Sequence, residues 1–176
     1  MKGGAITGNT AANTTSFNTG GVYVRDTGST FVMEGGSVSG NTARFDVLLR
    51  SSAGFGLTLS GNAAIGNLGL DAFSPAERSS VNVLQGWTGS VTSLNLRSGS
   101  TVMATVIGFW FNAATPVTLV QGAALTQADI DRFPLGNFIT SAFLNTLDNT
   151  QAISAPATGA PNGFMLNAQG QLVARP

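Results

Sequence analysis

Gly3-Gly4-Ala5-Ile6-Thr7-Gly8-Asn9-Thr10-Ala11 returns as Gly35-Gly36-Ser37-Val38-Ser39-Gly40-Asn41-Thr42-Ala43, and a shortened copy follows at Leu57-Thr58-Leu59-Ser60-Gly61-Asn62-Ala63. A phrase repeated at intervals of tens of residues marks a chain that stacks one supersecondary unit on the next. Asn9 and Asn41 are 32 residues apart, and Asn41 and Asn62 are 21 apart. A coil of about 21 residues holds two or three short strands; the interval of 32 is read as one coil enlarged by a loop in the polar stretch Ala12 to Thr19.

Outward from the phrase, Val22-Tyr23-Val24, Phe31-Val32-Met33 and Leu57-Thr58-Leu59 alternate in the period of two that a half-buried strand requires. Later copies lose their glycines but keep short β-rich runs at Val81-Asn82-Val83, Leu94-Asn95-Leu96, Val102 to Val106 and Val117 to Val120. Matching Val81 to Val102 and Leu94 to Val117 gives intervals of 21 and 23 residues. Ile6, Val38 and Leu59 occupy the same place before each turn and are expected in one inward-facing column. Gly8, Gly40 and Gly61 supply positive φ at the turns. Asn9, Asn41 and Asn62 are expected to form a hydrogen-bonded ladder along the stack. The expected fold is therefore all-β: a right-handed parallel β-helix (solenoid) over residues 1–121, with a mixed α/β C-terminal capping region over 122–176.

In that C-terminal region Thr126 reads as a helix N-cap, Asp129 takes the capping-box position, and Leu125 and Ile130 form a hydrophobic staple. Asn137 to Leu147 fits a helix, although Phe138-Ile139-Thr140 fits a strand nearly as well. Ser154 to Asn162 reads as loop, and Phe164-Met165-Leu166 with Gln171-Leu172-Val173 reads as a hairpin.

Composition narrows the chemistry. Charged residues are only 9% of the 176, against about 25% in an average soluble domain, so solubility rests on Ser, Thr, Asn and Gln. Eight basic and eight acidic residues balance without a run of either sign, which gives no footprint for nucleic acid or an anionic membrane. The chain has no cysteine and no histidine. That removes disulfides, thiolate nucleophiles, Cys/His zinc sites and a histidine general base. No stretch reaches the ~18 apolar residues of a membrane helix, so no membrane insertion is expected, and no cofactor is implied.

The phrase Gly20-Gly21-Val22-Tyr23-Val24, followed by Ser29 to Ala43, resembles the repeat of bacterial surface proteins with a right-handed parallel β-helix: pectin-lyase-like, autotransporter-passenger-like and adhesin-like sequences. The match is clear over roughly the first third of the chain. The resemblance implies a secreted or cell-surface location and a structural or adhesive role. Met1-Lys2 leads directly into a repeat copy, so the chain reads as a fragment, or as a protein whose first coil is laid down at once. Neither an export signal nor a membrane-anchoring barrel is read in this sequence, so export and anchoring would have to come from a longer precursor.

Glycan cleavage, the main enzymatic alternative on such a scaffold, needs paired carboxylates facing one groove, or a base with cationic partners. Asp129 and Asp131 are two residues apart and do not share a helix face; they read as helix N-terminal charges. Asp26, Glu34 and Asp46 read as solvated surface acids. Gly66-Asn67-Leu68-Gly69-Leu70-Asp71 resembles a calcium-binding glycine-rich repeat, but it occurs once and carries too few oxygens. Trp87 sits in a turn-like context and is the one candidate sugar-stacking platform, against the commoner role of a ring folded over the coil. Trp110 reads as core or interface, and Ile107 to Phe111 as a sticky patch if left uncovered. No catalytic residue is assigned. The expected function is that of a non-enzymatic extracellular or cell-surface protein contacting a host or glycan surface. Head-to-tail self-association through an open N-terminal coil is the second expectation.

Overall fold

The computed structural model describes residues 1–12, 18–50, 55–74, 77–98, 117–139 and 164–174. Val102–Val106, Ile107–Phe111 with Trp110, and the loop from Ser154 to Asn162 lie outside them, as does most of the expected loop between Ala12 and Thr19.

Within the described residues the strands are short, and most of them pair in parallel with the strand one interval on. One sheet contains eight strands. Its main path runs β1 (Ala5–Ile6), β4 (Ser37–Val38), β7 (Ala64–Ser74), β10 (Ser90–Ser98) and β12 (Leu135–Ile139). On a side branch β2 (Thr19–Arg25) pairs with β5 (Phe45–Arg50), and β5 pairs with β7; β8 (Glu77–Arg78) runs antiparallel to β7. A second sheet has the order β11 (Val120–Gln121), β9 (Ser80–Val83), β6 (Phe55–Leu59) and β3 (Phe31–Met33), all parallel. A third is the antiparallel pair β13 (Phe164–Leu166) and β14 (Leu172–Ala174).

This overturns the expected β-helix with an α/β cap. The strands are divided among separate sheets, two pairings are antiparallel, and successive turns of chain are not equivalent units. The clearest departure is β7, an unbroken run of 11 residues. Its first residues, Ala64 and Ile65, pair with β4, while Leu68, Gly69 and Leu70 pair with β5. Two strands that are separate at residues 37–50 thus merge into one. The merger depends on Gly66, where an added Cβ would come within 2.3 Å of Asp46 Oδ2.

The column of equivalent hydrophobes is also corrected. Ile6 pairs with Val38 and Val38 with Ile65, whereas Leu59 lies between Met33 and Val83 in the other sheet. The third Gly-Asn turn therefore stacks on Glu34-Gly35: a Cβ on Gly61 would meet Glu34 O at 2.2 Å, and one on Gly35 would meet Asn62 Oδ1 at 2.7 Å. The physical reason is that Gly-Asn specifies a turn with positive φ, not the sheet that the preceding strand joins. Gly8, Gly40 and Gly61 all take that conformation, with φ of 72°, 68° and 54°. The later matches change likewise. Leu94 pairs with Leu68 and Leu135 rather than Val117, and Val81 pairs with Leu57 and Val120.

Between the two large sheets the inward residues form one apolar core. Val24, Val47, Leu49, Leu68, Leu70, Leu94 and Leu96 come from the larger sheet, and Met33, Leu57, Leu59, Val81 and Val83 from the smaller. Each of these side chains removes an apolar surface worth about 1.5–3 kcal/mol on full burial. In this way the two-residue alternation is converted into packing.

Past residue 121 the chain does not leave this architecture, because β12 extends the larger sheet beside β10. Phe138 and Ile139 are strand residues, so of the two readings for this stretch the strand is observed; residues 140–147 lie outside the described set. Helix α1 (Gln127–Ile130) has the expected capping box: Thr126 Oγ1 accepts from Asp129 N, and Asp129 accepts from Thr126 N. The β13–β14 turn lies along β11, where Leu119 N and Val120 N both donate to Gly170 O at 2.9 and 3.2 Å. Gly170 is required at this approach: its φ is 69°, and a Cβ there would come within 1.8 Å of Val120 O.

Candidate functional site

Among the described residues, one line of polar groups converges on the buried Asp46. This carboxylate is 3% exposed and lies at the start of β5, where the turn from Asn41 and the strand carrying Asn67 meet. Its Oδ1 accepts from Asn41 Nδ2 at 2.8 Å and Asn41 N at 3.1 Å, and its Oδ2 accepts from Asn67 N at 2.8 Å. Asn41 continues the chain outward: its Oδ1 accepts from Asn9 Nδ2 at 2.9 Å and from Asn9 N at 3.1 Å. Its Nδ2 also donates to Ile6 O at 3.2 Å.

The ladder is thus Asn9, Asn41, Asp46 and Asn67, one polar line across three successive passes of the chain. Of the three asparagines expected to stack, Asn9 and Asn41 are brought together. Asn62 belongs to the turn over Gly35 and takes no part. Asp46 fills the next position, so it is a buried structural acceptor rather than a solvated surface acid. A carboxylate with several N–H donors is well suited to this place, because each charge-assisted bond is stronger than a neutral one and the buried charge is satisfied.

A second buried carboxylate, Asp71, is 1% exposed and lies 3.7 Å from Arg50 Nε through its Oδ2. Both residues belong to strands of the larger sheet, so the apparent calcium phrase at 66–71 is part of β7 and its acid faces an arginine. Among the described residues no group of three or more Asp, Glu, His or Cys side chains is placed to hold a metal ion. Asp26 lies 3.4 Å from Arg25 and Glu34 lies 3.8 Å from Lys2, so Asp26, Glu34 and Asp46 go to separate partners. No described helix is long and apolar enough to cross a membrane.

Trp87 is 2% exposed, which removes it as a sugar-stacking platform. Its indole Nε1 donates to Ala63 O at 2.9 Å, and the ring lies 5.1 Å from that of Phe133. Arg132 covers it, with the guanidinium carbon 5.4 Å from the ring centroid and Nη1 donating to Trp87 O at 2.7 Å. A sugar cannot stack on a face already occupied by a cation and a second ring. The aromatic is a clasp between the turn before β10 and the helix-containing segment.

Asp129 is partly exposed at the first turn of α1. The Thr126 hydroxyl, donating at 2.7 Å, and the Thr126 backbone N–H hold its carboxyl below the usual carboxylate range, with a smaller contribution from Arg132. Asp131 instead accepts from Gln127 Nε2 at 2.8 Å. These two acids cap a short helix and face separate partners. Beside them an open cleft of about 230 Å³ is lined largely by Ile130, Phe133, Pro134 and Met165.

Sequence reasoning missed Asp46, Asn67 and the Arg50–Asp71 pair. A signal was present: Asp46 and Asn67 are 21 residues apart, as are Arg50 and Asp71, which is the interval between Asn41 and Asn62. Searched against protein-family models, curated proteins and solved structures, the chain matches none of them.

Proposed function

We propose that this chain is a non-enzymatic structural and adhesin-like protein acting at a bacterial cell surface or in the extracellular space. The observation that carries the reading is the Asn9–Asn41–Asp46–Asn67 line. In it the buried Asp46 carboxylate, the Asn9 and Asn41 side chains and the Asn67 backbone N–H join one pass of the chain to the next, an arrangement that serves shape rather than chemistry. The low charge content and the Ser/Thr/Asn-rich exterior suit a surface that makes many weak polar contacts. The repeated phrase, with its resemblance to bacterial surface proteins, is what supports this location.

The test sets binding against turnover. Purified protein is applied to bacterial and host cells and to an immobilised glycan panel, and the same preparation is incubated with neutral and uronic-acid polysaccharides. Saturable binding without release of reducing ends or unsaturated products is expected. Product release that is lost in Asp131→Asn or Asp26→Asn would overturn the reading. Ordered filaments in electron microscopy, without cell or glycan binding, would replace it with self-assembly.

A further inference from the structure

The two large sheets differ in what their outer faces do. On the larger sheet the buried carboxylates Asp46 and Asp71 are already engaged, by Asn41 and Arg50. On the smaller sheet a row of polar side chains is left open. Register aligns Val32 of β3, Thr58 of β6, Asn82 of β9 and Gln121 of β11 as successive Cα partners. Their chain neighbours Met33, Leu57, Leu59, Val81, Val83 and Val120 lie in the core. Alternation therefore sends the four to the outer face together.

Thr58, Asn82 and Gln121 are half-buried, and Val32 is 42% exposed. Among the described residues no protein group hydrogen-bonds to the Thr58 hydroxyl or to either amide side chain. Leu84, directly after β9, is 46% exposed, and its N–H donates to Leu59 O at 2.9 Å, which keeps it beside β6. Two of the three large hydrophobic residues exposed among the described residues thus flank one polar row.

Neighbouring strands are about 4.8 Å apart, so the row is about 14 Å long. None of its members is charged, so it has no means of holding a polyanion or polycation by charge. A strip of that length and one side chain wide covers on the order of 100–200 Å², well below the roughly 800 Å² per partner of a stable protein–protein interface. Its size and neutrality suit one extended, uncharged chain rather than a second copy of the protein.

We propose that the Thr58–Asn82–Gln121 row, with Val32 and Leu84, is the contact face for a neutral polysaccharide. This site rests on the adhesive reading and gives it a ligand class. A primary amide offers donors and an acceptor side by side, and a hydroxyl offers both, which matches the donor and acceptor of each sugar hydroxyl. Val32 and Leu84 match the C–H faces of the sugar rings. Each sugar makes a weak contact on an open face, and retention comes from successive units of one chain engaging the row.

The experiment measures retardation of the full chain by affinity electrophoresis in gels containing hydroxyethylcellulose, mannan or dextran, with dextran sulfate and polygalacturonate as charged counterparts. Retardation by at least one neutral polymer, exceeding that by the charged ones, is expected. The double variant Asn82→Ala with Gln121→Ala should weaken it at least fivefold and Thr58→Val less, while Thr92→Ala, at an exposed position on the larger sheet, should leave it unchanged. An unchanged urea midpoint establishes that the variants fold. In the wild type, oligosaccharides of the retarding polymer should saturably shift the side-chain amide NMR signals of Asn82 and Gln121, a readout that needs no variant. Equal retardation of the double variant, or none by any neutral polymer, would overturn the site; wild-type binding to cells would then leave the adhesive reading standing, and its absence would remove both. Row variants that lose self-association instead would assign the face to a second copy and overturn the proposal.

Discussion

Replacing Asp46 with alanine should be among the most damaging single changes in the protein, although the residue is an acid in a strand. The substitution removes the acceptor for three donors: Asn41 N, Asn41 Nδ2 and Asn67 N. Leaving a buried donor unsatisfied costs about 1–3 kcal/mol. Asn41 Nδ2 keeps its bond to Ile6 O, and both asparagines are only half-buried, so water recovers part of the loss. About 2–4 kcal/mol of destabilisation is expected, a large share of the 5–15 kcal/mol that holds a typical domain folded. Asp46→Asn, which keeps the shape but offers one acceptor oxygen in place of two, should cost about half as much. The assay is urea unfolding monitored by tryptophan fluorescence and circular dichroism, with Asn41→Ala and the double variant completing a thermodynamic cycle. A coupling of about 1–2 kcal/mol between the two positions is expected. If Asp46→Ala costs less than about 0.5 kcal/mol, the value typical of a surface change, the polar line does not hold the layers together and the reasoning fails.

Gly66→Ala attacks the same carboxylate from the other side. The new methyl would displace Asp46 Oδ2, and destabilisation of about 1–3 kcal/mol, the usual range for overpacking, should appear in the same unfolding assay. Trp87→Ala should cost about 3–5 kcal/mol by thermal or urea unfolding, whereas Trp87→Phe, which loses chiefly the indole bond to Ala63 O, should cost about 1–2 kcal/mol. Asp129, whose folded carboxyl is held below its ordinary value of 3.8, contributes stability that is fully present above that value and is lost as pH falls through the lower folded value. The wild type should therefore lose its small advantage over Asp129→Asn only below about pH 4, a difference visible in unfolding midpoints measured from pH 6 down to pH 2.5.

Local chemistry was the most legible part of the sequence. The Thr126–Asp129 capping box, the hairpin around Gly170 and the strands at 22–24, 31–33 and 57–59 were all recoverable, because each is set by neighbours a few residues away. The ordering of strands into sheets was less legible. Ser-Gly-Asn at 39–41 and at 60–62 is the same turn chemistry placed after strands of different sheets, and nothing local distinguishes Val38 from Leu59. The eleven-residue β7 was hidden for the same reason: Gly66 and Gly69 resemble turn residues, but here they give space to Asp46 and to Phe45 with Leu48. Half of the asparagine ladder was visible as a repeated letter. Its continuation through Asp46 was not, because the third member changes residue type while keeping its place on the stack.

Strand register is the claim on which the polar line, the clasp at Trp87 and the Arg50–Asp71 pair all depend, and the absence of native cysteine makes it directly accessible. Val32 and Thr58 are Cα partners on β3 and β6. Aligning the repeated phrase by its Gly-Asn turns would instead set Thr58 beside Ser37. Two double variants, Val32→Cys with Thr58→Cys and Ser37→Cys with Thr58→Cys, are oxidised under identical conditions, and cross-link yield is read by non-reducing electrophoresis and mass spectrometry. Disulfides form only where Cα atoms lie within about 7 Å. Efficient bonding is expected between positions 32 and 58 and little between 37 and 58; the reverse pattern would refute this register.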